Sequence, residues 1–237
     1  VTVLAFDTAT PATTVAVCDG DAAIEARDDP VPGARPGHAV RLLPLAREAM
    51  GRAGVGWSGV ERIAVGTGPG TFTGLRIGVA TARGLARGLG IPLVGVSTLH
   101  SLALNAIGPS VGCHGVLAAV DARRGEVFAA GWRMGSVESG DGVLLAPRAL
   151  TPDALVELVS GWGISLLALG NGAVEFRSVL ERSGAFIPRD DSALHRVTAI
   201  NHCRLARALP FGAPDEVHPE YLRLPDAEIA RRTAAST

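Results

Sequence analysis

One structural unit is written twice in this chain. Leu4-Ala5-Phe6-Asp7 is an apolar run closed by an aspartate, with a turn at Thr8-Ala9-Thr10-Pro11 and a second run from Thr13 to Cys18. Val116 to Val120 is likewise apolar and closed by Asp121, with a turn at Ala122-Arg123-Arg124-Gly125 and a second run from Glu126 to Trp132. Internal repetition constrains a fold strongly, because each copy must form the same supersecondary unit. In the first copy Asp19-Gly20-Asp21 marks a hairpin into Ala22 to Ala26, so the chain opens as a three-stranded meander. Helical and buried-strand patterns then alternate, which predicts an α/β protein of two βββαβα-type halves with mixed sheets. The halves are expected at residues 1–108 and 109–225, followed by a polar, alanine-rich tail at 226–237.

Between the two copies lies the most distinctive stretch, Val65 to Thr81. An apolar run from Arg62 to Val65 leads into Gly66, Gly68 and Gly70, with Pro69 between the last two. Thr71 or Thr73 is placed to cap a helix that runs through Leu75, Ile77, Val79 and Ala82 to about Leu89. A strand, a glycine-rich loop and a helix N-terminus can hold phosphate, and the same composition also makes a tight turn. Neither standard phosphate motif fits: the chain has no lysine, and the third-glycine positions of a dinucleotide loop hold Thr71 and Thr73. Within the helix, Gly74, Gly78 and Ala82 recur every four residues, and Gly84 and Gly88 form a second pair. Glycine in a helix costs about 1 kcal/mol relative to alanine, so a bare face is expected to meet another backbone, in this chain or in a partner.

The remaining pattern is regular. His38 to Ala53 reads as an amphipathic helix after a Pro- and Gly-rich loop from Asp28 to Gly37, and Leu93 to Val96 as a buried strand followed by a helix capped by Ser97 or Thr98. Later come helices at Thr151–Ser160, Ala173–Arg182 and Leu194–Leu209, and a strand at Leu166–Leu169 closed by Gly170-Asn171-Gly172.

Composition narrows the chemistry. A net charge of −1 gives no bulk attraction to nucleic acid or anionic membrane. No apolar run approaches a membrane span and the first residues lack a signal-peptide layout, so a cytoplasmic protein is expected. Cys18, Cys113 and Cys203 form no Cys-x-x-Cys pair, and the six histidines include no pair at i, i+4. His195 and His202 are seven apart, too far to grip one ion from a single helix. Gly-x-Ser-x-Gly does not occur, and no serine, histidine and aspartate grouping can be argued from the sequence. Asp190-Asp191 and the turn arginines Arg123 and Arg124 read as solvated surface, although the arginines could meet a phosphate or a partner carboxylate.

The run from Gly66 to Ala86, continuing through Gly90 to Ser97, closely resembles the TsaB (YeaZ-like) family, with Arg41 to Leu45 and Asp121 to Val127 supporting the likeness and little after Leu150. The resemblance implies a duplicated actin-like (ribonuclease H-like) fold and a non-catalytic scaffold subunit of the complex that adds threonylcarbamoyl to adenosine next to the tRNA anticodon. Its implied partners are a TsaD-like catalytic subunit and a TsaE-like ATPase, with tRNA reached through the complex, no membrane, and a homodimer when alone. The implied partner surface is Leu42, Leu45, Gly74, Arg76, Ile77, Gly78, Thr81 and Ala82. In the actin-like fold paired aspartates handle the metal and phosphates of a nucleotide, which implies a relic cleft of Asp7, Thr8, Thr10, Gly68, Gly70 and Asp121. The alternative is that each aspartate caps its own turn. No tightly bound cofactor is expected, with ATP or ADP and magnesium entering in the complex. TsaD-like proteins bind metal through two histidines four apart; the matching positions here are Thr98 and Leu102, and His100 between them reads as a surface residue. The family's Arg-x-His-Ser appears here as Arg35-Pro36-Gly37-His38-Ala39, which leaves His38 without an implied role. An ATP or ADP hydrolase or small-molecule kinase built on the cleft, and a metallopeptidase, are the other readings.

Overall fold

The computed structural model describes residues 1–31, 33–108 and 112–223. The chain runs β1 (Val3–Asp7), β2 (Thr13–Asp19), β3 (Ala22–Asp28), α1 (His38–Ala53), β4 (Arg62–Gly68), α2 (Phe72–Leu89), β5 (Leu93–Ser97) and α3 (Thr98–Ala103). It continues with β6 (Gly115–Arg123), β7 (Glu126–Arg133), β8 (Val143–Leu150), α4 (Pro152–Ser160), β9 (Leu166–Leu169), α5 (Asn171–Glu175), α6 (Arg177–Leu180) and α7 (Ala199–Ala208). The first sheet has the order β3-β2-β1-β4-β5 and the second β8-β7-β6-β9. In each, the meander is antiparallel and the crossover strand joins its first strand in parallel. The second sheet therefore repeats the first, with a single parallel bridge between Leu167 and Phe186 in the place of β5, a duplicated actin-like arrangement.

Side-chain alternation sets the layers. In β1, Leu4 and Phe6 face α1 and α2, whereas Val3 and Ala5 face α7 and the interior. The central core holds the inner faces of both sheets together with α3 and α7, and a third cluster lies between the second sheet and α4. Asp7 follows Val3 and Ala5 in phase and so points inward.

The helices begin and end where local chemistry directs. Thr71 precedes α2 in an extended conformation and Gly90 closes it at φ +67°, a value that favours glycine. Ser97 caps α3 by accepting from His100 N, Thr151 caps α4, and Thr198 caps α7.

Two expectations change, and the structure adds one strand that the sequence pattern does not place. The edge strand β8 contains Pro147, which speaks against a strand interior but is tolerated at an edge. The helix expected at 173–182 is two short pieces broken at Phe176. The last helix starts at Ala199, since residues 193–195 form a separate 3₁₀ turn. Although α7 belongs in sequence to the 109–225 stretch, it packs on the first sheet through Ala199, Cys203 and Ala206. The tail expected at 226–237 lies outside the described residues. Among the described residues no helix is long and apolar enough to cross a membrane.

Candidate functional site

Asp7 is fully buried and saturated with partners. Oδ1 accepts from Ala9 N at 2.7 Å. Oδ2 accepts from Thr98 Oγ1 at 2.8 Å and lies 3.0 Å from His202 Nε2. An ionised carboxylate only accepts, so Nε2 carries the proton in this contact. His202 is itself fully buried, with Nδ1 2.9 Å from Ser101 Oγ and 3.1 Å from Thr198 O. Burial pushes the Asp7 carboxyl up, but the hydrogen bond and field of His202, with the Ala9 and Thr98 donors, outweigh it and hold Asp7 below the usual carboxylate range.

Ser101, His202 and Asp7 thus stand in the order of a hydrolase triad, a grouping sequence reasoning did not find. All three side chains are sealed, so no scissile bond can reach the hydroxyl. His202 lies 195 residues from Asp7, and no local pattern announces the contact.

The glycine-rich stretch serves close packing. A Cβ on Gly66 would overlap Asp7 Oδ2, one on Gly70 would overlap the Ala9 carbonyl, and one on Gly68 would press on the Glu220 backbone. Gly68 also sits at φ +115°. Thr71 N donates to Ala9 O, and Glu220 N donates to Thr67 O, so the β1 turn and the segment around Pro219 cover the loop from two sides. The loop is packed as a tight turn between these two segments.

The other cleft residues scatter. Thr8 is buried and donates to Gly74 O. Asp121 accepts from Arg123 N at 2.8 Å and pairs with Arg123 Nε at 3.5 Å, capping its own hairpin. Arg123 and Arg124 make the turn with φ of 64° and 56°. A cavity of about 200 Å³ between the halves is lined by Thr10, Leu102, Val120, Asn171, His195 and Arg196 among others. Of the six residues expected at the cleft, Thr10 lines this cavity. Asp7, fully buried and engaged by Ala9, Thr98 and His202, offers magnesium no open oxygen. Among the described residues no cluster of three or more histidine, cysteine or acidic side chains could hold a metal ion.

The histidines are structural fasteners. His195 accepts from Gly170 N and reaches Pro188 O. His38 is buried against Thr13 Oγ1 at 2.8 Å, its Nε2 has no hydrogen-bond partner, and burial lowers its pKa. His100 is half-buried rather than a surface residue: it stacks on Trp132 with centroids 5.2 Å apart and binds Val137 O, joining the halves.

The partner surface expected on α2 is also redistributed. Gly74, Gly78 and Ala82 are buried, because a Cβ at Gly74 or Gly78 would overlap Thr8. Leu42 and Leu45 are each 2% exposed and belong to the core under α1. Arg76 lies 3.7 Å over the Phe72 ring and donates to Tyr221 Oη. Arg76 stays exposed, and Ile77 and Thr81 stay half-exposed on the outer side of α2, beside exposed Ala80, Gly84 and Gly88. Val40 and Leu43 of α1 are 71% and 44% exposed.

The model of the family described as TsaD, tRNA N6-adenosine threonylcarbamoyltransferase, matches residues 32–175. The tRNA threonylcarbamoyladenosine biosynthesis protein TsaB of Escherichia coli is 41% identical over 126 residues, 53% of this chain and 52% of that protein. TsaB of Bacillus subtilis is 29% identical over 250 residues, 96% of each. A crystal structure of YeaZ from Pseudomonas aeruginosa superposes with a TM-score of 0.73 at 28% identity, covering 93% of this chain and 99% of that one. The chain belongs to the TsaB (YeaZ-like) family. The matched segment spans about half the length of the first curated TsaB relatives, 52% of those from E. coli and Haemophilus influenzae. Within this TsaB-family chain, Thr98 and Leu102 are committed to the interior: Thr98 binds Asp7 and Leu102 is fully buried.

Proposed function

We propose that this chain is a non-catalytic subunit of the complex that transfers a threonylcarbamoyl group to the adenosine next to the anticodon of tRNA. It docks a TsaD-like catalytic subunit on the outer side of α1 and α2. The observation that carries this reading is the contrast between a sealed, hydrogen-bonded Asp7 and two neighbouring helices that leave apolar or small residues exposed, Val40 and Leu43 on α1 and Ala80 and Gly84 on α2. Exposed apolar side chains beside small residues let a second pair of helices approach closely. A second copy occupies the same face when the catalytic subunit is absent. Nucleotide and magnesium enter with the catalytic subunit and a TsaE-like ATPase, and tRNA is held mainly by those partners, in keeping with a net charge of −1 here.

The test is to mix the purified chain with its cognate TsaD and weigh the products by light scattering, comparing wild type with Gly84→Arg. Gly84 has open space around it, so arginine there blocks a partner without disturbing the fold. A one-to-one complex lost in the variant is expected. Equal binding by both would move the interface elsewhere, and no binding by the wild type would overturn the scaffold reading.

A further inference from the structure

Two of the three cysteines, 185 residues apart in sequence, meet where α7 crosses the first sheet. Cys18 lies next to Val3 in the β1–β2 register, and Cys203 Sγ lies 3.6 Å from Val3 O and 3.9 Å from Ala16 O. Both side chains thus stand at the Val3 position of the sheet, within one core cluster. Both line one cavity of about 300 Å³, together with Asp21, Arg204 and Arg207, and its rim is the exposed hairpin at 19–22. Small solutes thus have a path to sulfurs whose residues are only 3% and 0% exposed.

The pair is chemically unequal. The contact with Cys203 holds Cys18 below the usual thiol range; burial and Glu25 oppose this, and Arg207 and Arg204 reinforce it. Burial and the neighbouring Cys18 push Cys203 well up. A thiol beside arginines, with a second thiol lining the same cavity, is the arrangement of a nucleophile and its resolving partner.

We propose that Cys18 and Cys203 are a redox pair that a hydroperoxide converts to a disulfide tying α7 to β2. The Cys18 thiolate attacks one peroxide oxygen, the O–O bond breaks, and the other oxygen leaves as water or alcohol after protonation, giving a sulfenic acid. The Cys203 sulfur then attacks the Cys18 sulfur. The S–S bond forms as the S–O bond breaks, and the hydroxide leaves with the Cys203 proton as water. Two electrons pass from the sulfurs to the peroxide. The bond would fix the residue next to His202, and so fasten the helix that completes the Asp7 cluster.

Hydrogen peroxide is the probe. The full chain is treated with a small molar excess, denatured, its thiols counted, and the digest mapped without reduction. Titratable thiols are expected to fall from three to one, with the Cys18 and Cys203 peptides linked and Cys113 still reduced. Cys203→Ser is expected to stop at a Cys18 sulfenic acid that dimedone traps, and Cys113→Ser to behave as wild type. Three surviving thiols in the wild type, or oxidation that begins at Cys113, overturns the proposal. The wild-type map alone decides this, even if a cysteine variant fails to fold.

Discussion

At the scale of single residues, Asp7 is both the most constrained and the most instructive position. A buried carboxylate is costly unless it is hydrogen-bonded and paired, and here Ala9, Thr98 and His202 do both. His202→Leu removes the strongest of these partners and is expected to cost about 3 kcal/mol or more, read from the urea midpoint at pH 7. The folded-state pKa of Asp7 is depressed, so its stabilisation is complete above the unfolded value of about 4 and is lost as pH falls through the lower folded value. Asp7→Asn should therefore flatten the loss of stability that sets in below about pH 4. An unchanged acid profile in that variant would show that another group governs it. The sequence made Asp7 visible as a turn aspartate but left open whether it served a cleft or its own turn. The deciding partner sits near the other end of the chain, on a helix whose spacing carries no signature.

Among the elements, α2 shows how a legible pattern can be read onto the wrong face. The four-residue recurrence of small residues was plain, and it occurs twice, in Gly74/Gly78/Ala82 and in Gly84/Gly88. Periodicity gives the angle between the two series and not which one faces the protein. That choice is made by the turn after β1, where Thr8 donates to the Gly74 carbonyl and leaves no room for a side chain at Gly78. Gly78→Ala is expected to cost about 1–3 kcal/mol through overpacking, while Gly84→Ala should gain about 1 kcal/mol from helix propensity. Thermal unfolding of the two variants separates them by sign. The strand β8 was missed for a different reason, since Pro147 interrupts its pattern and is accommodated only because one side of the strand is unpaired.

For the whole molecule, the duplicated arrangement was readable because it is written locally, as two strand–aspartate–turn–strand units. The return of α7 to the first sheet was not, since it depends on contacts of long sequence separation. This return makes the halves interdependent: Asn201 binds Ser101 O and Asn105, and Arg62 reaches Ala206 O. Calorimetry is expected to show one transition whose calorimetric and van't Hoff enthalpies agree. Two resolved transitions would mean that each half holds its own core.

The crossing of α7 also bears on how the chain emerges from the ribosome. At about 5–20 residues per second, the 195 residues separating Asp7 from His202 take about 10–40 s to synthesise. Throughout that interval the first meander has its aspartate and no histidine to meet it. Nascent chains arrested before residue 198 should stay protease-sensitive across β1 and β2, and become resistant once α7 clears the exit tunnel. The first strand made waits for the last helix.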